Sequence, residues 1–183
     1  QWNSDLSELG RAQADVNGQF LKSQNIEKLF VSPLDRTKQT AEIVNNHLGV
    51  PMMFDDRIME WDTGDWSGYL YADLKIKWKK EWQALEADRF NYRGPNCENY
   101  PDMIVRSTPF LALVQSEPAD NIGIVSHGII GRVMISTLLG FNEQETLAFH
   151  QGNDVIYRLT FHGDTHEVDH FIGGEGPFPG LVT

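Results

Sequence analysis

Three short stretches carry the residues whose types and spacing suit chemistry on an anion. In IVSHGII, residues 124–130, His127 follows a β-branched run and precedes a helical pattern. Gly128 lets the backbone approach a ligand closely. The positive end of a helix disfavours an imidazolium unless an anion lies between them, so an anionic substrate would resolve the conflict. A hydrogen-bonded histidine near the core fits the same pattern. In VSPLDRTKQTA, residues 31–41, Ser32 and Pro33 stand where a strand turns into a helix. Pro33 suits the first turn, where its missing N–H costs nothing. Arg36 then falls in that turn, and free N–H groups, helix dipole and guanidinium converge on an anion site. A surface arginine on an amphipathic helix would read the same way. In DRIMEWDTGDWSG, residues 56–68, Glu60, Asp62 and Asp65 lie in a Gly/Trp-rich loop. A carboxyl group partly buried against Trp61 or Trp66 would serve as a general acid, and a solvated acidic loop is the alternative.

These residues need elements to hold them. Apolar spacing predicts helices over 7–23, 34–47, 70–90, 101–116 and 129–139, with Leu74, Trp78, Trp82 and Leu85 on one face of the third. Short strands are expected at 26–31, 50–54 and 122–125. Segments 154–161 and 167–171 alternate and are joined by HGDT, which predicts an antiparallel hairpin. The tail GGEGPFPGLVT reads as irregular. Strands alternating with helices imply an α/β fold, a mostly parallel sheet covered on both faces. Ligands then bind at the carboxyl ends of the strands. Both IVSHGII and VSPLDR would face that rim.

Composition narrows the partners. A chain of 183 residues suits one domain. Its net charge of −11 argues against nucleic acid or an anionic membrane as partner, while leaving a small anionic substrate open. The single cysteine, Cys97, fits a reducing compartment, and a cytoplasmic location is expected. No apolar run approaches a membrane span. The chain starts at Gln1, so something is expected to precede it, and a leader there stays open. His162, His166 and His170 are spaced like a helical metal face but flank the expected turn, so no metal is expected there. Cys97 has no activating histidine adjacent in sequence. Lys75, Lys77, Lys79 and Lys80 form a basic cluster, read as a solvated helix face or as a lid drawing in phosphate esters.

Five segments in order resemble the histidine phosphatase superfamily, also called phosphoglycerate mutase-like: NSDLSELGRAQA, SPLDRTKQTA, MEWDTGDWSG, GPNCENYPDM and VSHGIIGRVMISTLLG. The resemblance implies a three-layer α/β/α sandwich, a single domain over 1–183, with 69–100 as a lid or insertion. It implies a phosphomonoester hydrolase working through a phosphohistidine in the complete protein, with no metal and no cofactor. Arg36 and His127 would bind the phosphoryl oxygens, and Glu60 would protonate the leaving alkoxide. Glu98 and Asn99 would belong to a substrate loop, although Cys97-Glu98-Asn99 stands where the family has Gly-Glu-Ser. A small phosphorylated substrate is the expected partner, and a homodimer stays open. The family's nucleophile belongs to an Arg-His-Gly motif, and these residues contain none: the two His-Gly pairs are 127–128 and 162–163. The expectation is that the motif lies upstream of Gln1, that the chain as written is inactive, and that a compact domain would mean either omitted residues or a slot beside the strand bearing His127. The alternatives are a cofactor-dependent phosphoglycerate mutase and a non-catalytic phosphate-ester binding or scaffold protein.

Overall fold

A computed structural model describes residues 3–163 and 165–182. Its elements run α1 (Glu8–Leu21), β1 (Lys28–Val31), α2 (Asp35–Leu48), β2 (Met52–Phe54), α3 (Tyr71–Lys77), α4 (Lys79–Ala87), α5 (Tyr100–Ser116), β3 (Ile122–Val125), α6 (Gly128–Leu139), α7 (Glu143–Ala148), β4 (Val155–His162), β5 (Thr165–Ile172) and β6 (Glu175–Pro179). β1 lies between β2 and β3 in a parallel sheet, with Leu29 opposite both Met52 and Gly123.

The layers follow from the alternation of side chains along β1. Leu29 and Val31 point to one face and pack with Ala41 and Val44 of α2 and Leu21 of α1. Phe30 points to the other and meets Ile58, Phe110 and Leu111 of α5, and Met134 of α6. Helices therefore cover both faces of the parallel sheet, an α/β/α arrangement. Gly123 makes room for its neighbour: a Cβ there would lie 2.4 Å from Leu29 Cδ2, so that side chain would have to shift. The local signals agree with the packing. Ser7 caps α1 by accepting from the Gly10 N–H, and Gly49, at φ 66, ends α2.

The chain closes with an antiparallel sheet ordered β4-β5-β6. Phe171 of β5 meets Phe20 of α1 at 4.5 Å between ring centroids, which ties this sheet to the helical layer. Among the described residues, β3 pairs only with β1 and β4 only with β5. Asn121 and Val125 give their carbonyls to the N–H groups of Glu27 and Ser32, on the β1 side. By alternation Ile122 and Ile124 turn their backbone groups to the other edge. Ile124 is 37% exposed there.

Several expectations need correction. The helix foreseen over 70–90 is two helices, because Trp78 leaves the helical region (φ −120, ψ 42) between α3 and α4. Apolar spacing continues across the break, so periodicity does not register it. The tail is not irregular: residues 175–179 form β6, since the edge of β5 supplies a hydrogen-bonding partner that Gly/Pro-rich sequence does not advertise. Helix α7 was not anticipated; Asn142 and Glu145 form its capping box. Pro33 precedes the cap residue Leu34, so it lies just before the first turn of α2 and not within it. The hairpin forms as β4 and β5, and its HGDT turn includes Asp164, which lies outside the described residues.

Candidate active site

β1 and β3 are parallel, so their carboxyl ends reach the same rim. Ser32 follows β1 there, and His127 follows β3 as the cap residue of α6. The two meet: Ser32 Oγ lies 2.7 Å from His127 Nε2, with Ser32 fully buried and His127 7% exposed. Arg36, in the first turn of α2, donates its Nε–H to His127 Nδ1 at 3.1 Å. A guanidinium only donates, so Nδ1 must be the unprotonated nitrogen. The ring proton of neutral His127 therefore sits on Nε2 and is donated to Ser32 Oγ. Burial, then the Arg36 and Arg106 charges, hold the imidazole down to about 3. The opposition between histidine and local positive charge, expected from the helix end, is thus present in stronger form.

Glu60 reaches the same helix from the loop after β2. Its carboxylate accepts from the N–H groups of Ile129 (3.3 Å) and Ile130 (3.1 Å) in the first turn of α6, and from its neighbour Trp61 (2.9 Å). The positive helix end receives the acid, as helix electrostatics favour. Arg36, Glu60 and His127 are thus brought together around one helix start.

Arg106 holds this loop in place and was not singled out from sequence. Its guanidinium donates to the carbonyls of Arg57 (2.8 Å) and Met59 (3.0 Å), with a longer contact to that of Glu60 (3.5 Å). It also makes a forked pair with Glu98 at 2.7 and 2.8 Å. Glu98 in turn accepts the Asp62 N–H, and its carbonyl accepts the Trp61 indole N–H. Backbone on both sides of Glu60 is clamped by one Arg–Glu pair. The available signal was a lone charge inside the apolar stretch MIVRSTPFLALV, which must find partners if it is not to be expelled.

Other candidates lie elsewhere or are occupied. Asn99 caps α5, exchanging hydrogen bonds with Asp102. The Glu98 carboxylate serves Arg106 and the Asp62 backbone. Asp62 accepts from the Gly64 N–H, and Asp65 accepts from Asn96. Gly64, at φ 46, is packed so closely that a Cβ would lie 2.3 Å from the Asn96 carbonyl carbon. Cys97 is buried, donates to the Thr63 carbonyl, and its thiol is pushed up to about 11, by burial first and then by Asp62 and Asp65. His162, His166 and His170 are spread along β4 and β5, and His170 Nδ1 pairs with the Gly180 carbonyl. Among the described residues no three His, Cys, Asp or Glu form a metal-holding group.

Fold and site together define an α/β protein with a histidine- and arginine-lined rim at the carboxyl ends of parallel strands. Residues 1–172 match the histidine phosphatase superfamily (branch 1), and the chain belongs to that family. The chicken 6-phosphofructo-2-kinase/fructose-2,6-bisphosphatase is 28% identical over 145 residues, 78% of this chain and 30% of that protein. A human relative of the same name, form 4, is 30% identical over 136 residues, 73% of this chain and 28% of its own length. The chain thus spans less than a third of these curated relatives. Among solved structures, a mycobacterial glucosyl-3-phosphoglycerate phosphatase in complex with inorganic phosphate superposes with TM-score 0.81 at 26% identity, over 96% of this chain and 92% of that one. The α-ribazole phosphatase of Shigella flexneri shares the fold, with TM-score 0.83 at 22% identity, over 90% of this chain and 82% of that one. No helix among the described residues is long and apolar enough to cross a membrane.

Proposed function

We propose that this domain hydrolyses phosphomonoesters through a phosphohistidine. The observation that carries the reading is the meeting of Arg36, His127 and Glu60 at one helix start. Arg36 is placed to bind phosphoryl oxygens with charge-assisted hydrogen bonds. His127 is neutral in the resting site, with its Nε2–H given to Ser32 and its Nδ1 accepting from Arg36; an arriving phosphate dianion would compete for that N–H and favour the imidazolium. Glu60, fixed by Arg106 and α6, is placed to protonate the leaving alkoxide and then to take a proton from the attacking water. The phosphatase names of the relatives agree with this chemistry.

The nucleophile in this reading is a histidine of an Arg-His-Gly segment seated beside β3. Among the described residues β3 pairs only with β1, and its other edge, that of Ile122 and Ile124, is where such a segment would sit. His127 itself is a poor candidate, because both its nitrogens are engaged by Ser32 and Arg36. The absence of the motif from the 183 residues equally suits a phosphate-ester binding role without catalysis. One assay separates the two. The Gln1–Thr183 chain and the same domain carrying the Arg-His-Gly segment are purified and given an aryl phosphate. The expected result is turnover by the second alone. Comparable turnover by both would overturn the phosphohistidine, and none by either would favour the binding role.

A further inference from the structure

Next to the catalytic rim the loop after Glu60 and the start of α3 enclose a cleft of about 340 Å³. That is the small end of ligand clefts, which run roughly 300–1,000 Å³. Its walls are Trp61, Trp66, Tyr69, Leu70, Tyr71 and Leu74. Three of these are large side chains left unusually open: Tyr69 is 42%, Tyr71 65% and Leu70 73% exposed. Among the described residues lining the cleft, the charges are Arg36 and Glu60, both at the end beside α6.

We infer that this cleft receives the leaving group of the ester, and that the leaving group is a flat apolar body, aryl or arylalkyl, without a second anionic group. The inference rests on the phosphatase reading and narrows it to a substrate class. A second phosphate or carboxylate would meet walls of aromatic and aliphatic side chains and the Glu60 carboxylate. Its desolvation would go uncompensated. The nearby lysines do not line the cleft. Lys77 sits 4.1 Å from the Tyr69 ring centroid and donates to its hydroxyl, and Lys75 lies over Trp82 at 5.4 Å. A sugar finds few partners either: the Thr63 hydroxyl is bonded to Ser67, that of Tyr69 to Lys77, and the Trp66 indole N–H is buried, which leaves chiefly the Tyr71 hydroxyl. Apolar contact is what the walls offer, and one arginine-held phosphoryl group is what the rim offers.

The test is calorimetric titration of the full protein with inert phosphonates. Naphthylmethylphosphonate should bind at least about tenfold tighter than methylphosphonate, and 3-phosphonopropionate no tighter than methylphosphonate. Leu70→Ser and Tyr71→Ser, both at exposed positions, should each cut the naphthyl advantage about threefold. Tighter binding of 3-phosphonopropionate than of the naphthyl probe, or a naphthyl advantage untouched by both substitutions, would overturn the inference while leaving the phosphate site standing. Failure of all three probes to bind would remove the phosphate site itself, and the inference with it.

Discussion

The strand rim and the segment after Gly68 make contrasting uses of the chain. At the rim, each functional side chain is fixed by backbone geometry: Ser32 and His127 end parallel strands, and Arg36 opens the helix that follows. Ser32 bonds to His127, His127 to Arg36, and Glu60 to the first turn of α6. In residues 69–77 Tyr69, Leu70, Tyr71 and Ile76 stand open while Leu74 is buried, and the helix breaks at Trp78. Nothing in the sheet constrains them. The rim has little freedom to vary without losing chemistry, whereas the wall of the cleft is free to vary with the leaving group. Substitutions at the first should thus reach the rate for every ester, and substitutions at the second should sort esters from one another.

The largest effect belongs at the rim. Arg36→Ala in the complete enzyme should lower kcat/KM by roughly 100-fold, about 3 kcal/mol of lost phosphoryl contact, with the thermal midpoint little changed. Steady-state kinetics beside a melting curve decide it. A loss under about tenfold would demote Arg36 to a tether for His127.

Arg106→Gln should come next, and should strike stability and rate together. It leaves Glu98 unpaired and releases the carbonyls flanking Glu60. A cost of about 2 kcal/mol in urea unfolding is expected, below the range for a fully buried pair because both side chains are about one-fifth exposed. Glu98→Gln, which keeps a hydrogen-bond acceptor, should cost less on both counts. Unchanged kinetics in Arg106→Gln would show that Glu60 holds its position without the clamp.

Glu60→Gln should separate the two regions kinetically. Alkyl phosphates, whose leaving groups need protonation, should slow far more than activated aryl phosphates. Equal slowing of both would make Glu60 an anchor for the α6 start and no more.

A smaller effect concerns pH. The folded imidazole of His127 titrates near 3 and the unfolded one near 6.5. As pH falls below 6.5 the unfolded chain binds a proton that the folded chain refuses, so this group withdraws stability progressively down to about 3; above 6.5 it contributes no slope. Urea midpoints at several pH values should show a shallower acid decline in His127→Asn than in the parent. Parallel curves would mean that the ring is not held neutral. The least effect is expected of Lys77→Ala, within about 0.5 kcal/mol of the parent in stability, as for other exposed contacts.

The two regions also differ in how legible they were. VSPLDR and IVSHGII announce themselves because a strand end, a helix start and a charged residue coincide within a few positions, so fold and site are written in the same residues. The convergence of Glu60 on Ile129 and Ile130 spans about seventy positions and needed the fold. Arg106 was hidden because, beside Glu98, its partners are backbone carbonyls, which carry no residue signature. Glu98 lies in a segment that resembles a substrate loop, and the fold adds what the resemblance did not carry, that its carboxylate goes to Arg106. The break at Trp78 and the strand β6 escaped notice for opposite reasons: one preserves apolar spacing across an interruption, the other forms where spacing is absent.

The central claim is that the rim composed of Arg36, His127 and Glu60 serves a phosphohistidine. Rapid acid-free quenching of the full protein during turnover of a labelled aryl phosphate tests it most directly. The account predicts an acid-labile, alkali-stable phosphoryl group on the histidine of an Arg-His-Gly segment, with its yield sharply reduced in Arg36→Ala. Sustained turnover with no phosphoprotein at any quench time would contradict it.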